Sequence, residues 1–505
     1  MEIPTCCVKE SPRDVQALSD LEPWINPAYT IDSEALYGRL REQARALSAG
    51  MYADAYARTY YNRATEYPLI WVTRAGVDER ADSLLTCLRE TESEGLAPGQ
   101  FRVAEMQTLL DSARAYAYAE QDATTTLAKL EFLLTQAYLR YVCGQRYGYV
   151  RPARLFNRLL VDKPAPGEVH REVQFRALYD HRSEEATDSF ATHALEEARH
   201  RRMGDFLREI QPSGKLYDAL KTEYQRARTQ GDTVRQRLAR LNLERARWRY
   251  PRPEEGRYVW VNLAGQQLTA VDTRRDTAFT MRVCCGNDAH KTPLLHSEIY
   301  RVELNPYWVI PQTIVRKEIV PRHVGDSAYF ARNRYTAIDK DTRREVDPAS
   351  LSAGQLRSAQ YILRQEKGAD NSLGRIIFRF ANDFSIFLHD TNNHGAFCVR
   401  NRAISHGCVR VERPLDLALF MLDEPTPLFV DRIRMAIDLP PLSTEGERYR
   451  QENPEAKPLG SFAPSESVPV WLDYWTLYPD GEGTMQSYPD SYGYDEVLEQ
   501  ALTAF

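Results

Sequence analysis

The order of apolar and polar positions changes character once along the chain. From about residue 32 to 250, apolar residues recur at steps of three and four. Leu127, Leu130, Leu134, Tyr138 and Tyr141 form one such stripe, and Val234, Leu238, Leu241 and Trp248 another. That spacing puts the side chains on one face of a helix. Pro251 ends the second run, and Pro251-Arg252-Pro253-Glu254-Glu255-Gly256 reads as a linker. Beyond it the runs become short and β-rich: Tyr258–Leu263, Gln267–Asp272, Thr277–Val283, Ile299–Leu304, Arg375–Phe380 and Phe384–Leu388. Many short strands with turn signals between them predict a mainly β, sandwich-like domain.

The chain therefore reads as multidomain α and β. Residues 1–31, with Pro12, Pro23 and Pro27, are an irregular lead-in, and residues 32–250 a helical domain. Tyr67–Val72 is a short apolar exception inside it. The tyrosines Tyr52, Tyr56, Tyr60, Tyr61, Tyr116 and Tyr118 fit either a sugar-stacking surface or helix packing with a wet hydroxyl, and packing is the preferred reading. Residues 257–438 form the β domain, interrupted at about 321–373 by a charged insert with a helical stretch near Ser352–Glu366. Residues 439–465, rich in Pro, Glu and Ser, are a loose connection. Residues 466–505 supply a strand and a helix (Asp495–Ala501) that complete the β domain.

Composition narrows the function classes. The 505 residues carry a net charge of −6 with both signs interspersed, which gives no basic field for nucleic acid. No run approaches the ~18 apolar residues of a membrane-spanning helix, and Met1–Cys7 has neither the basic nor the apolar stretch of a signal peptide, so the expectation is a chain from which a targeting segment has been removed. Eight cysteines are too few for a disulfide scaffold. The adjacent pairs Cys6-Cys7 and Cys284-Cys285 read as free thiols, because bridging neighbours strains the ring. Cys87 and Cys143 sit in apolar helical patterns and read as core.

The chemistry concentrates in Phe384-Ser385-Ile386-Phe387-Leu388-His389-Asp390-Thr391 and Ala403-Ile404-Ser405-His406-Gly407-Cys408-Val409-Arg410-Val411. A free thiol ionises near pH ~8.5 and is a poor nucleophile until a base or cation shifts it. His389 would supply that base, as a thiolate–imidazolium pair, if the two segments lie side by side. Gly407 permits a turn that other residues resist, and the Gly407 and Cys408 amides would cradle an oxyanion. Pro414 opens a helix whose positive end would adjoin the thiolate. Cys398 is the rival nucleophile, without the neighbouring glycine. Two other readings stay open: buried structural residues, and zinc held by His389, His394, Cys398, His406 and Cys408. The spacing lacks a Cys-x-x-Cys pair or a finger-type histidine hairpin.

Leu-His-Asp-Thr followed by Ser-His-Gly-Cys-Val-Arg resembles the signature of L,D-transpeptidases with a YkuD-type catalytic domain, with Asp390 where the family usually has glycine. The variant looks like the large envelope subgroup typified by YcbB. Further matching segments are Val259–Leu263, Lys291-Thr292-Pro293, Leu304–Pro311, Asn371-Ser372-Leu373-Gly374-Arg375 and Val468–Tyr474. The resemblance is dense over about 257–500 and loose over 50–250. It implies a helical scaffold domain and a lid-like cap at the 321–373 insert. In that subgroup a peptidoglycan-binding module is commonly inserted in the scaffold. Here only Thr229–Thr233 separates two helices, so no such module is expected.

The resemblance implies a two-step reaction. The Cys408 thiolate attacks the third residue of a peptidoglycan tetrapeptide stem and releases D-alanine. An amine of a second stem then takes the acyl group in a 3→3 cross-link, with His389 as general base and acid. Asp390 would orient His389 through its backbone carbonyl, and His406 would support the loop. Arg410 would hold a substrate carboxylate or the loop. Tyr307, Trp308, Ser405 and Phe387 would contact substrate. No cofactor or metal is required, carbapenem-type β-lactams should acylate Cys408, and the expected location is the cell envelope or periplasm, with other envelope proteins as further possible partners. The alternatives are an L,D-carboxypeptidase or endopeptidase with the same nucleophile, and a non-catalytic envelope scaffold or zinc-binding protein.

Overall fold

The computed structural model describes residues 25–26, 29–30, 33–47, 50–62, 68–73, 76–77, 79–115, 117–118, 122–161, 173–181, 184–200, 202–249, 256–480 and 483–505. Most of the 1–31 lead-in, Tyr67, Tyr116 and residues 251–255 of the linker lie outside them. The chain divides into two compact units. One comprises Met1–Arg158, Arg182–Pro251 and Trp475–Phe505, and the other Leu159–His181 and Arg252–Tyr474.

The first unit is helical. Its centre is the helix Ala123–Tyr147, which carries the leucine–tyrosine stripe and is buried along most of its length. Asp122 caps it by accepting the Thr125 amide. The helices Ser33–Ala46, Tyr52–Tyr61 and Val103–Ala115 pack around it. Tyr56, Tyr60 and Tyr61 are buried, with hydroxyls bonded to Thr192, the Pro68 carbonyl, and Glu131 and Thr135. Leu69–Val72 is buried because Glu131 accepts the amides of Ile70, Trp71 and Val72 at 2.7–3.0 Å. Helices Lys215–Gln230 and Thr233–Arg247 form a hairpin across Gly231 (φ +71°) and Asp232. The tail departs from expectation. Residues from Trp475 onward belong to this helical unit, where Thr476 bonds Asn242 and Asp495 pairs with Arg245 at 2.6 Å.

The second unit is β-rich. Its pairings run through Ile376–Phe380, Leu388–His389, Val409–Val411, Thr277–Gly286, Gln267–Asp272, Arg257–Asn262, Val468–Asp473 and Leu294–Leu304. The last strand also pairs with the first, so the path closes on itself. Leu294–Leu304 spans both partners, and its register shifts between Ile299 and Arg301, an irregularity that lets a long strand turn a corner. The expected loose connection is partly regular: helix Thr444–Glu452, then Ser461–Phe462 paired to Leu294–Leu304.

The insert is a small body with its own core of Ile310, Val315, Ile319, Val320, Phe330, Ala337, Leu351, Leu356 and Leu363. Its sheet joins Trp308–Val309, Tyr361–Gln365, Tyr335–Asp339 and Glu345–Val346, so it begins near 308 rather than 321. The helical stretch expected at Ser352–Glu366 is only Ala353–Arg357, followed by the strand Tyr361–Gln365.

Candidate active site

Two short strands set the segments that carry the imidazole and the thiol side by side. Leu388–His389 pairs in parallel with Val409–Val411, with Leu388 opposite Val409 and His389 opposite Arg410. On the other side Cys284 lies opposite Arg410. Paired residues share a face, so His389 and Arg410 belong to one face, and Cys408 immediately precedes the strand. Val409 and Val411 point into the core, fully buried. Of the expected run Phe384–Leu388 only Leu388 is strand, and the strand continues into His389. The Asn382 side chain takes the amides of Phe384 and Ile386, and Ser385 adopts φ +58°, so the run is a turn that enters the strand late. Strand Val409–Val411 rises ~3.3 Å per residue. The helix Pro414–Phe420 therefore begins beyond it, and its N-terminus is not the thiol's neighbour.

The nucleophile turn is held from beneath. Gly407 has φ +113°, and a Cβ there would lie 3.1 Å from Ile386 Cδ1, so the position favours glycine. The Gly407 amide donates to Ser405 Oγ at 3.1 Å. Ser405 Oγ donates in turn to the Cys408 carbonyl, and Thr292 Oγ1 donates to the Gly407 carbonyl at 2.7 Å. These bonds correct two expectations. Ser405 is buried under the turn rather than facing substrate, and the Gly407 amide is occupied. The Cys408 amide is the one of the pair with no acceptor among the described residues.

His389 is 4 % exposed. Its Nδ1 bonds the Asp390 carbonyl, and the Leu373 backbone also lies against the ring. The Asp390 carboxylate accepts the Arg375 amide at 2.8 Å, which ties it to the Asn371–Arg375 loop. Gly374 (φ +63°) makes room for it, since a Cβ would stand 2.3 Å from Asp390 Cγ. Asn371 fixes the same loop to the Pro306 and Glu366 carbonyls. Burial, then the Arg410 charge, pushes the imidazole down to about 3. Burial pushes the Cys408 thiol up to about 11, opposed by a bond to the Phe387 backbone and by the charges of Arg379 and Arg410. Both shifts favour the uncharged forms, whereas the expectation from sequence is a thiolate–imidazolium pair. The nearest acceptor of Cys408 Sγ is the Ser385 carbonyl at 3.8 Å.

Residues 256–430 match the model of the YkuD L,D-transpeptidase catalytic domain, and residues 54–223 that of the Scaffold domain. The chain carries a YkuD L,D-transpeptidase catalytic domain. A protein of Haemophilus influenzae described as "Putative L,D-transpeptidase" is 30 % identical over 269 residues, 53 % of this chain and 50 % of that protein. The chain thus spans about half the length of the curated relative it matches. L,D-transpeptidases of this cysteine-dependent family act on peptidoglycan stems in the cell envelope. Among the described residues no helix is long and apolar enough to cross a membrane.

Around the centre of the transpeptidase domain the remaining residues separate. Phe387 flanks His389 with ring centroids 5.6 Å apart, and the Arg379 guanidinium lies over the Phe387 ring, 4.6 Å from its centroid. Tyr307 is held by Arg364 at 4.1 Å and Lys367 at 4.9 Å, and Trp308 packs on the insert's core; no contact among the described residues joins either to Cys408 or His389. His406 reaches the insert instead, where its Nε2 meets Glu318 Oε1 at 3.0 Å. Cys398 is exposed at the end of the turn His394–Cys398. Among the described residues no three His, Cys, Asp or Glu side chains are grouped as metal donors. Arg379 and Glu318 were missed from sequence. The first left a trace, as the one polar residue in the strand Ile376-Ile377-Phe378-Arg379-Phe380. The second left none.

Proposed function

We propose that the chain is a peptidoglycan L,D-transpeptidase that forms 3→3 cross-links through a Cys408 thioester, in the periplasm or equivalent envelope space. The observation that most supports the reading is the parallel pairing of Leu388–His389 with Val409–Val411, which sets the strand of the buried His389 against the strand that follows the partly exposed Cys408. With Nδ1 donating to the Asp390 carbonyl, the lone pair of His389 is on Nε2. Burial, then the Arg410 charge, favours the unprotonated ring, which is the form a base needs.

The thiol gives its proton to His389 as Sγ attacks the carbonyl of the third stem residue. The Cys408 amide stabilises the oxyanion. His389 returns the proton to the leaving D-alanine amine. The guanidiniums of Arg410 and Arg379 lie near the sulfur and match the carboxylate of that D-alanine. An acceptor amine then takes the acyl group from sulfur. A carbapenem would follow the first half of this path and stop at the acyl-enzyme. Intact-mass analysis after carbapenem treatment tests the nucleophile. One adduct mapped to the Cys408 peptide and absent from Cys408→Ala is expected, and an adduct on Cys398 in both proteins would overturn the assignment.

A further inference from the structure

We infer that Glu318 and His406 form the subsite that receives the acceptor amine. The inference rests on the transpeptidase reading and names how its second substrate is recognised. Glu318 sits on a π-turn, Val315–Ile319, inside the run Gln312–His323. Such turns are rare and concentrate where a side chain must be re-aimed. Here Val315, Ile319 and Val320 are locked in the insert's core, while Glu318 projects outward, 48 % exposed. Its carboxylate meets His406, which stands two residues from the nucleophile. His290 packs against His406 with ring centroids 4.7 Å apart and fixes the imidazole plane.

The charges around the sulfur are divided. The cations Arg379 and Arg410 act on it from their strands. The segment just before Cys408 offers an imidazole paired with a carboxylate. The donor stem ends in a carboxylate, and the acceptor enters as an ammonium ion, so each substrate meets its opposite charge. With Nε2 donating to Glu318, His406 carries its lone pair on Nδ1. The ammonium is held by Glu318 and loses one proton to His406. The freed nitrogen lone pair forms the bond to the thioester carbon. The C–S bond breaks with its electrons going to sulfur. The second amine proton passes through His389 to the thiolate, and His406 releases its proton to water. Water, the competing acceptor, carries no charge for Glu318 to hold, so the pair favours transfer over hydrolysis.

The test separates the half-reactions in the full chain with purified disaccharide-tetrapeptide and with a carbapenem. Glu318→Gln should leave carbapenem acylation of Cys408 within about twofold, because the first step does not use the carboxylate. It should lower the ratio of cross-linked dimer to tripeptide about tenfold and raise the KM for acceptor. Glu318→Asp should recover part of that ratio. An unchanged ratio in a variant that acylates normally would overturn the subsite, as would equal loss of acylation and dimer, which would make Glu318 a support of the turn. Failure of the unsubstituted protein to acylate would instead overturn the parent reading.

Discussion

One arginine in each unit is drawn out of water, and the two are partnered differently. Arg247 in the helical unit is fully buried, and every nitrogen of its guanidinium has a partner: Gln145, Glu244, and Glu94 with Tyr217. Arg410 in the β unit is half-buried, its Nε is shut off from solvent, and its side chain has no hydrogen-bond partner among the described residues. The first is what burial of a charge demands when stability is the only requirement. The second leaves donors waiting beside a thiol and an imidazole. A buried polar group without its partner points to a ligand, because the fold alone gives no return for desolvating it.

Substitutions can break that contrast. His389→Ala removes the base and should lower turnover about 10²–10⁴-fold, measured as dimer formed per unit time. Arg247→Met leaves Glu244 buried without its cation and Glu94 with Lys221 alone, and should cost about 3–5 kcal/mol in denaturant unfolding. Arg410→Met should leave unfolding stability unchanged or raised, and lower donor kcat/KM about 10–100-fold, the worth of one or two charged hydrogen bonds. Equal stability losses for the two arginines would end the contrast. Gly374→Ala should cost about 1–3 kcal/mol, through its left-handed backbone and the clash with Asp390. The added substitution Asp390→Gly should recover part of it, which a double-mutant cycle would read.

The smallest effect is in pH. Burial lowers His389 from 6.5 to about 3, so its contribution to stability is present above pH 6.5 and is lost as pH falls toward 3. Burial raises Cys408 from 9.0 to about 11, so its contribution is present below pH 9 and is lost as pH rises toward 11. Alkylation of Cys408 by iodoacetamide, which needs the thiolate, should therefore climb with pH and reach half its maximum near 11. Fast alkylation that is flat down to about pH 4 would mean a resting thiolate–imidazolium pair.

That the His389 segment lies beside the segment following Cys408 was legible in the sequence because apolar strand-like positions flank both. The two-domain division was legible because the hydrophobic period changes near Pro251. What could not be read depends on bonds formed at a distance. Asn382 captures amides that would otherwise extend the strand before His389. Ser405 occupies the Gly407 amide, which spacing alone offers to an oxyanion. Trp475–Phe505 follows a β-strand in sequence, yet Asn242 and Arg245 hold it in the helical unit. Glu318 reaches His406 across eighty-eight positions, with no pattern in either segment to announce it.

The most direct test is product mass after incubating the protein with purified disaccharide-tetrapeptide, beside Cys408→Ala. The account predicts a dimer lighter than two substrates by one alanine, formed by the unsubstituted protein and absent with the variant. Tripeptide without dimer, or dimer formed equally well by Cys408→Ala, would contradict it.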